Sequence, residues 1–236
     1  MSTLFTYDML RDIWVPLLSG IIGGLYSSTA TISVLARKSR KASEQEATDY
    51  VAAMLLAISM MFLRFMILIL IFSREIFLSI YPYLLTMAVV AAIVAWFIHS
   101  RQKRSNDQPV EAEEDDSSNP LEFKVALIFA VLFVVFTFLT HYTLVYAGTG
   151  GLNLLSFVSG FSDITPFILN LLQNTGSVAA LIITACSMQA IISNIMVNMF
   201  YALFFAGKGS KLRPWILGGF GVVIACNLVL LLFFYI

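Results

Sequence analysis

The chain has 236 residues, 59% of them hydrophobic and only 12% charged, with a formal net charge of zero and a mean hydropathy of +0.88. Charged residues gather between apolar runs of about 20 residues, the length of a membrane-spanning helix, so lipid is the natural solvent of those runs. This excludes a soluble globular enzyme and a β-barrel, whose strands read as alternating segments of roughly ten residues, and the dispersed basic residues give no nucleic-acid surface.

The first twelve residues mix apolar and charged side chains and predict a short interfacial helix; no basic region precedes an apolar core as in a cleaved signal peptide. Run one, Ile13 to Ala36, holds Pro16 early and the glycine- and hydroxyl-rich stretch Gly23-Gly24-Leu25-Tyr26-Ser27-Ser28-Thr29. It stops at a basic cluster, residues 37–41, which the positive-inside rule places in the cytoplasm. Run two, Val51 to Phe72, carries Arg64 in its interior, and run three, Leu78 to His99, is closed by a second basic loop at 101–104, also read as cytoplasmic. Residues 106–120 are rich in Glu, Asp and Ser and read as an acidic disordered linker.

Run four, Leu121 to Ala147, is a connecting helix within 121–148, and Gly148-Thr149-Gly150-Gly151 reads as a turn. Run five, Leu152 to Leu172, contains Ser159-Gly160-Phe161-Ser162-Asp163-Ile164-Thr165-Pro166, a polar, Gly- and Pro-broken interruption with one carboxylate. Run six is Val178 to Phe205 and run seven Trp215 to Ile236, separated by Lys208, Lys211 and Arg213. The fold class is therefore all-α: a polytopic helical membrane protein of about seven apolar helices, with about six to seven crossings and Gly-broken helices.

Two of these stretches echo one another. Val51-Ala52-Ala53 and Ala57-Ile58-Ser59-Met60 match Val178-Ala179-Ala180 and Ala185-Cys186-Ser187-Met188 across a one-residue gap. The preceding runs match as Gly24-Leu25-Tyr26-Ser27-Ser28-Thr29 against Gly160-Phe161-Ser162-Asp163-Ile164-Thr165. This predicts two related three-helix repeats, residues 1–105 and 149–236. The loop charges reverse sign between them, as an inverted-topology repeat requires. Seven full crossings cannot deliver that inversion. Either the basic residues after run six lie outside, or the polar run five turns back without crossing, which buried or cavity-lining backbone permits.

An ionised side chain inside a bilayer costs several kcal/mol unless paired or wet, which singles out Asp163 and Arg64. They could pair as a salt bridge that locks two helices, or Asp163 could coordinate a cation or take up a proton while Arg64 sets its charge state. Ser27, Ser28 and Thr29 after the structural glycines Gly23 and Gly24, with Gly160 as their counterpart, and Asn194 and Asn198 four apart on run six, supply neutral oxygens and amides around them. Asn170 and Asn174 read as caps at the end of run five. Cys186 and Cys226 read as small hydrophobes, and His99 and His141 as lone histidines near run ends with no partner at metal-ligand spacing. If any residue binds a metal it is Asp163. No Ser-His-Asp order, Walker loop or His-Glu-x-x-His motif occurs, so neither an enzyme nor a cofactor is expected.

Gly24 to Thr31 with Ala36-Arg37-Lys38-Ser39-Arg40, Leu63-Arg64, Asn119-Pro120-Leu121-Glu122 and Ser159 to Asp163 together resemble the uncharacterised domain in the C-terminal half of MgtC/SapB-like bacterial membrane proteins. The resemblance covers nearly the whole chain and implies a bacterial or archaeal cytoplasmic membrane and divalent-cation handling. Such proteins usually carry an MgtC-like helical domain upstream, whereas this sequence begins directly at the later domain, so the expectation is either a stand-alone version or an MgtC-like helical domain as a partner on a separate chain, with the lipid bilayer and a second copy as further partners. The functional expectation is a membrane transport module with a polar site where the repeats meet; the alternative is a regulatory or assembly subunit that moves nothing itself.

Overall fold

The computed structural model describes residues 2–40, 44–101, 121–161, 163–173, 178–207, 210 and 212–235. Among them there is no strand. The apolar runs form helices because each backbone N–H and C=O can be satisfied within the segment, as lipid demands. In chain order these are α1 (Ser2–Lys38), α2 (Glu44–Phe72), α3 (Arg74–Ser100), α4 (Leu121–Ser159), α5 (Ile164–Gln173), α6 (Ala180–Ala206) and α7 (Arg213–Tyr235). Five stretches of the described residues have the length and composition to cross a membrane: Pro16–Lys38, Thr48–Phe72, Arg74–Ser100, Ala180–Ala206 and Arg213–Phe233. The chain is a polytopic membrane protein. The acidic linker 106–120 and Asn174 lie outside the described residues.

Two compact units divide the chain. One comprises Met1–Ile67, Tyr81–Val110 and Ile195–Ile236; the other Leu68–Ile80 and Glu111–Asn194. In the first unit α2 is the core helix, with Val51, Met54, Leu55, Ile58, Phe62 and Phe65 fully buried. Ser59 Oγ donates to the Ala88 carbonyl at 2.8 Å, and Gly219 of α7 lies so close to Leu55 and Ile98 that a Cβ there would meet their side chains at 2.8 and 3.0 Å. Tyr83 donates to Asn227 Oδ1 in a buried bond between α3 and α7. In the second unit α4 and α5 pack together, with Phe136 5.8 Å from Phe167.

The helices expected to be Gly-broken are broken, and at the two matching stretches. The interfacial helix and run one form a single element, α1, that leaves helical geometry at Ser27 (φ −155°, ψ 107°). The turn expected at residues 148–151 is one residue, Gly148 (φ 58°, ψ −148°), a conformation open only to glycine. The helix resumes as Gly150–Ser159. Run five, expected as one run, is two short helices, Gly150–Ser159 and Ile164–Gln173, with Gly160, Phe161 and Asp163 outside both.

Both breaks reverse the chain. In α1 a Cβ on Gly23 would lie 2.9 Å from Thr31 Cγ2, whereas residues eight apart in a continuous helix are separated by about 12 Å. Gly20 packs on Ala53 and Gly24 on Ala57, so the arm before Ser27 runs parallel to α2. Continued straight, it would bring Lys38 level with residue 71, about 40 Å from Glu44. The six residue steps from Lys38 to Glu44 reach at most about 21 Å. The chain must therefore turn back at Ser27. The same holds for the second break: Cys186 lies against Asn153 and Asn194 against Gly160, so Gly150–Ser159 runs parallel to α6. Without a reversal Gln173 would stand about 40 Å from Ala180, beyond the reach of about 25 Å that seven steps allow. Each break is the tip of a helical hairpin, and Pro16–Lys38, long enough to span by composition, folds back instead.

Candidate functional site

The tip in the first unit is built by backbone groups that a broken helix leaves open. Ser27 is extended and starts the second arm as its N-cap: its Oγ accepts from the Ala30 N–H at 3.3 Å. Thr31 Oγ1 donates to the Ser27 carbonyl at 2.8 Å, and Ser33 Oγ to the Thr29 carbonyl at 2.8 Å. On the other side of the break, the Tyr26 carbonyl ends the first arm and accepts from Arg64 Nη1 of α2 at 2.7 Å. A guanidinium at a helix C-terminus meets the negative end of the helix dipole. Arg64 is half-buried, with Cζ 5.1 Å from the Phe65 ring. Ser28 is buried and Thr29 half-buried beside it. Gly23 and Gly24 are needed for space: a Cβ on Gly24 would lie 2.6 Å from Ala57 Cα, and one on Gly23 would enter the Thr31 side chain.

The tip in the second unit repeats this plan with other residues. Asp163 is the N-cap of α5; its Oδ1 accepts from the Thr165 N–H at 2.9 Å and the Thr165 hydroxyl at 2.7 Å. Pro166 follows in the first turn, where no N–H is required. The carbonyls that close the first arm accept from α6: Phe157 O from Ser193 Oγ at 2.6 Å, and Gly160 O from Asn194 Nδ2 at 3.2 Å. A Cβ on Gly160 would lie 2.7 Å from Asn194 N, so glycine is what lets the tip sit on α6. The Asp163 side chain is exposed on its unit.

Ser27 and Asp163 are thus N-caps at positions that the sequence repeat matches. Arg64, Ser193 and Asn194, which fall at corresponding places in the two long helices, all hold tip carbonyls. Asn198, fully buried, lies one turn beyond Asn194 on α6. Arg64 holds the Tyr26 carbonyl of the first tip, and Asp163 caps α5 at the second. Asn170 is no helix cap: it is buried within α5 and donates to Thr137 Oγ1 of α4 at 2.8 Å. Cys186 is buried, its Sγ 3.4 Å from Asn153 Oδ1. In the second unit, the hydroxyls of Thr140, Thr184 and Ser187 are buried and find no hydrogen-bond partner among the described residues. Nor does any group of three His, Cys, Asp or Glu side chains converge among them.

Sequence reasoning missed the Asp49–His99 pair. Asp49 is buried, and its Oδ1 lies 2.7 Å from His99 Nδ1, joining the start of α2 to the end of α3. Asp49 precedes the apolar run as drawn, and only antiparallel packing of α2 and α3 aligns it with His99. It missed Asn227 too, although a lone amide inside an apolar run is itself a signal.

A family model described as a domain of unknown function, DUF4010, matches residues 14–206. The chain belongs to the DUF4010 family. The matched span includes both hairpins together with α2, α3, α4 and α6. The chain is also 25% identical over 217 residues to an uncharacterized protein of Aquifex aeolicus (strain VF5), covering 91% of this chain and 93% of that protein. No solved structure matches.

Proposed function

We propose that the chain is a membrane transport module for a cation, or for a solute moved together with protons, with its polar chemistry at the two hairpin tips. The observation that carries this reading is the recurrence of one device: a helix broken at membrane depth, its carbonyl end held by the following long helix and its amide end capped by Ser27 in one repeat and Asp163 in the other. Broken helices are how membrane proteins bring helix ends to ions and polar solutes at membrane depth, and irregular backbone is tolerated where it is buried in protein or lines a cavity. Asp163 gives one tip a carboxylate and Arg64 gives the other a fixed positive charge, so the sites differ chemically although their frames correspond. Thr184 and Ser187 lie on the α6 face that carries Asn194 and extend neutral oxygens from the tip towards the start of α6.

Asp163 takes up the cation or proton in this reading, Arg64 and the Ser27-Ser28-Thr29 segment hold the opposite charge or the solute, and no covalent chemistry is involved. The resemblance to MgtC/SapB-associated domains favours a divalent ion and a bacterial or archaeal cytoplasmic membrane, with an MgtC-like chain or a second copy as partner. Flux of Mg2+, Na+ and protons into liposomes containing the purified protein tests it: wild type should carry one of them and Asp163→Asn should lose at least 90% of that flux. Unchanged flux in Asp163→Asn overturns the assignment of Asp163. No flux of any of the three ions, with a second membrane protein co-purifying, supports the regulatory subunit instead.

A further inference from the structure

We propose that the chain crosses the bilayer five times and inserts its two helical hairpins from opposite faces, the Ser27 hairpin from the cytoplasm and the Asp163 hairpin from outside. Chain direction and charge carry this, independently of the transport reading.

Four helix ends gather at one end of the first unit. Arg37, closing α1, lies 4.3 Å from the ring of Phe205 near the end of α6. Gly207, which ends α6 with φ +92°, sits against Arg40, where a Cβ would come within 2.8 Å of the guanidinium. Asp49 and His99 bring the start of α2 and the end of α3 together, and α1's register on α2 puts Pro16 level with Asp49. The chain leaves this face along α2, returns along α3, and is back on it at the end of α6. An even number of crossings therefore separates Lys38 from Gly207. Since α2, α3 and α6 each cross, one more crossing lies between Ser100 and Ala180. The part of α4 up to Ala147 is about 40 Å long and can supply it. Gly150–Ser159 and Ile164–Gln173 are about 15 Å each, half the hydrocarbon thickness, and fold back on themselves. The second hairpin thus re-enters from the face that α4 reaches.

The charge distribution agrees independently. By chain position, all but two of the 14 Lys and Arg residues then fall on the first face; the exceptions are Arg64, inside α2, and Arg74, at the α2–α3 turn. The positive-inside rule makes that face cytoplasmic. Seven full crossings would instead send Lys208, Lys211 and Arg213 outside. The reversed loop charges of the two repeats follow from hairpins that open to opposite faces. Asp163 is then reached from outside, and Ser27 and Arg64 from the cytoplasm.

Single cysteines in a Cys186→Ser, Cys226→Ser background, labelled on intact cells with a membrane-impermeant maleimide, test this. Glu75→Cys, Gly150→Cys and Gln173→Cys should label directly; Lys38→Cys, Arg101→Cys and Arg213→Cys should label only after permeabilisation. External labelling of Arg213→Cys, or failure of Gln173→Cys to label until permeabilised, overturns the topology. Should a cysteine variant fail to accumulate, a reporter fused after Gly207 decides the same point: a fluorescent protein there should glow and alkaline phosphatase should stay inactive, and the reverse overturns the proposal.

Discussion

Ser27 and Asp163 show how one backbone task can be given to residues of different charge. Both accept an N–H in the first turn of the following arm, and capping by Ser, Asp or Asn is worth about 1 kcal/mol. Asparagine caps as well as aspartate, so Asp163→Asn removes the charge and keeps the cap. It should leave thermal stability in detergent within about 0.5 kcal/mol of wild type, whereas Asp163→Ala should lose about 1 kcal/mol; an equal loss in both would mean that the carboxylate itself stabilises the fold. Asn194→Ala deprives the Gly160 carbonyl of its side-chain donor. The cost should be about 0.6–2 kcal/mol, between the average for polar contacts in membrane helices and the penalty for an unsatisfied buried group, read from a shift of the urea or SDS unfolding midpoint. His99→Ala exposes how far the Asp49 carboxylate depends on its neighbour and should cost about 1–3 kcal/mol in the same assay, because a buried charged group loses a partner.

At the scale of the element, the hairpins depend on close approach. The arm before Ser27 lies on α2 through Gly20 and Gly24, and the second tip lies on α6 through Gly160. Gly24→Leu drives a side chain into the Ala57 backbone and should cost about 3 kcal/mol or more, at the upper end of overpacking penalties; a protein that unfolds as wild type would show that the arm is not seated on α2. The sequence displayed the interruptions plainly, because glycine, hydroxyls and a carboxylate stand out in an apolar run. Their consequence was only half visible. That run five could turn back was one of two readings, and that run one does so was not read at all. Direction depends on which residues of α2 and α6 the arms touch, and nothing in a single run records that register. The role of Asn170 was misread for a related reason: near the end of a run an asparagine looks like a cap, and its partner, Thr137, lies on another helix.

At the scale of the whole molecule, fold class was legible because lipid leaves few choices: runs of about 20 apolar residues must become helices. The number of crossings was not, since an apolar run that spans and one that folds into a hairpin have the same composition. The charge pattern already held the contradiction, with three basic loops that no seven-crossing arrangement places on one face, and the proposed five-crossing topology, argued from the contacts of Arg37 and Arg40 with the end of α6, removes it. Chain reversal at the tips underlies this topology, and a distance can decide it. Spin labels at Gly150→Cys and Gln173→Cys, in the background lacking the native cysteines, should lie within about 20 Å by double electron–electron resonance if the Asp163 segment is a hairpin; a continuous helix through both positions would hold them about 35 Å apart, and that distance would contradict it.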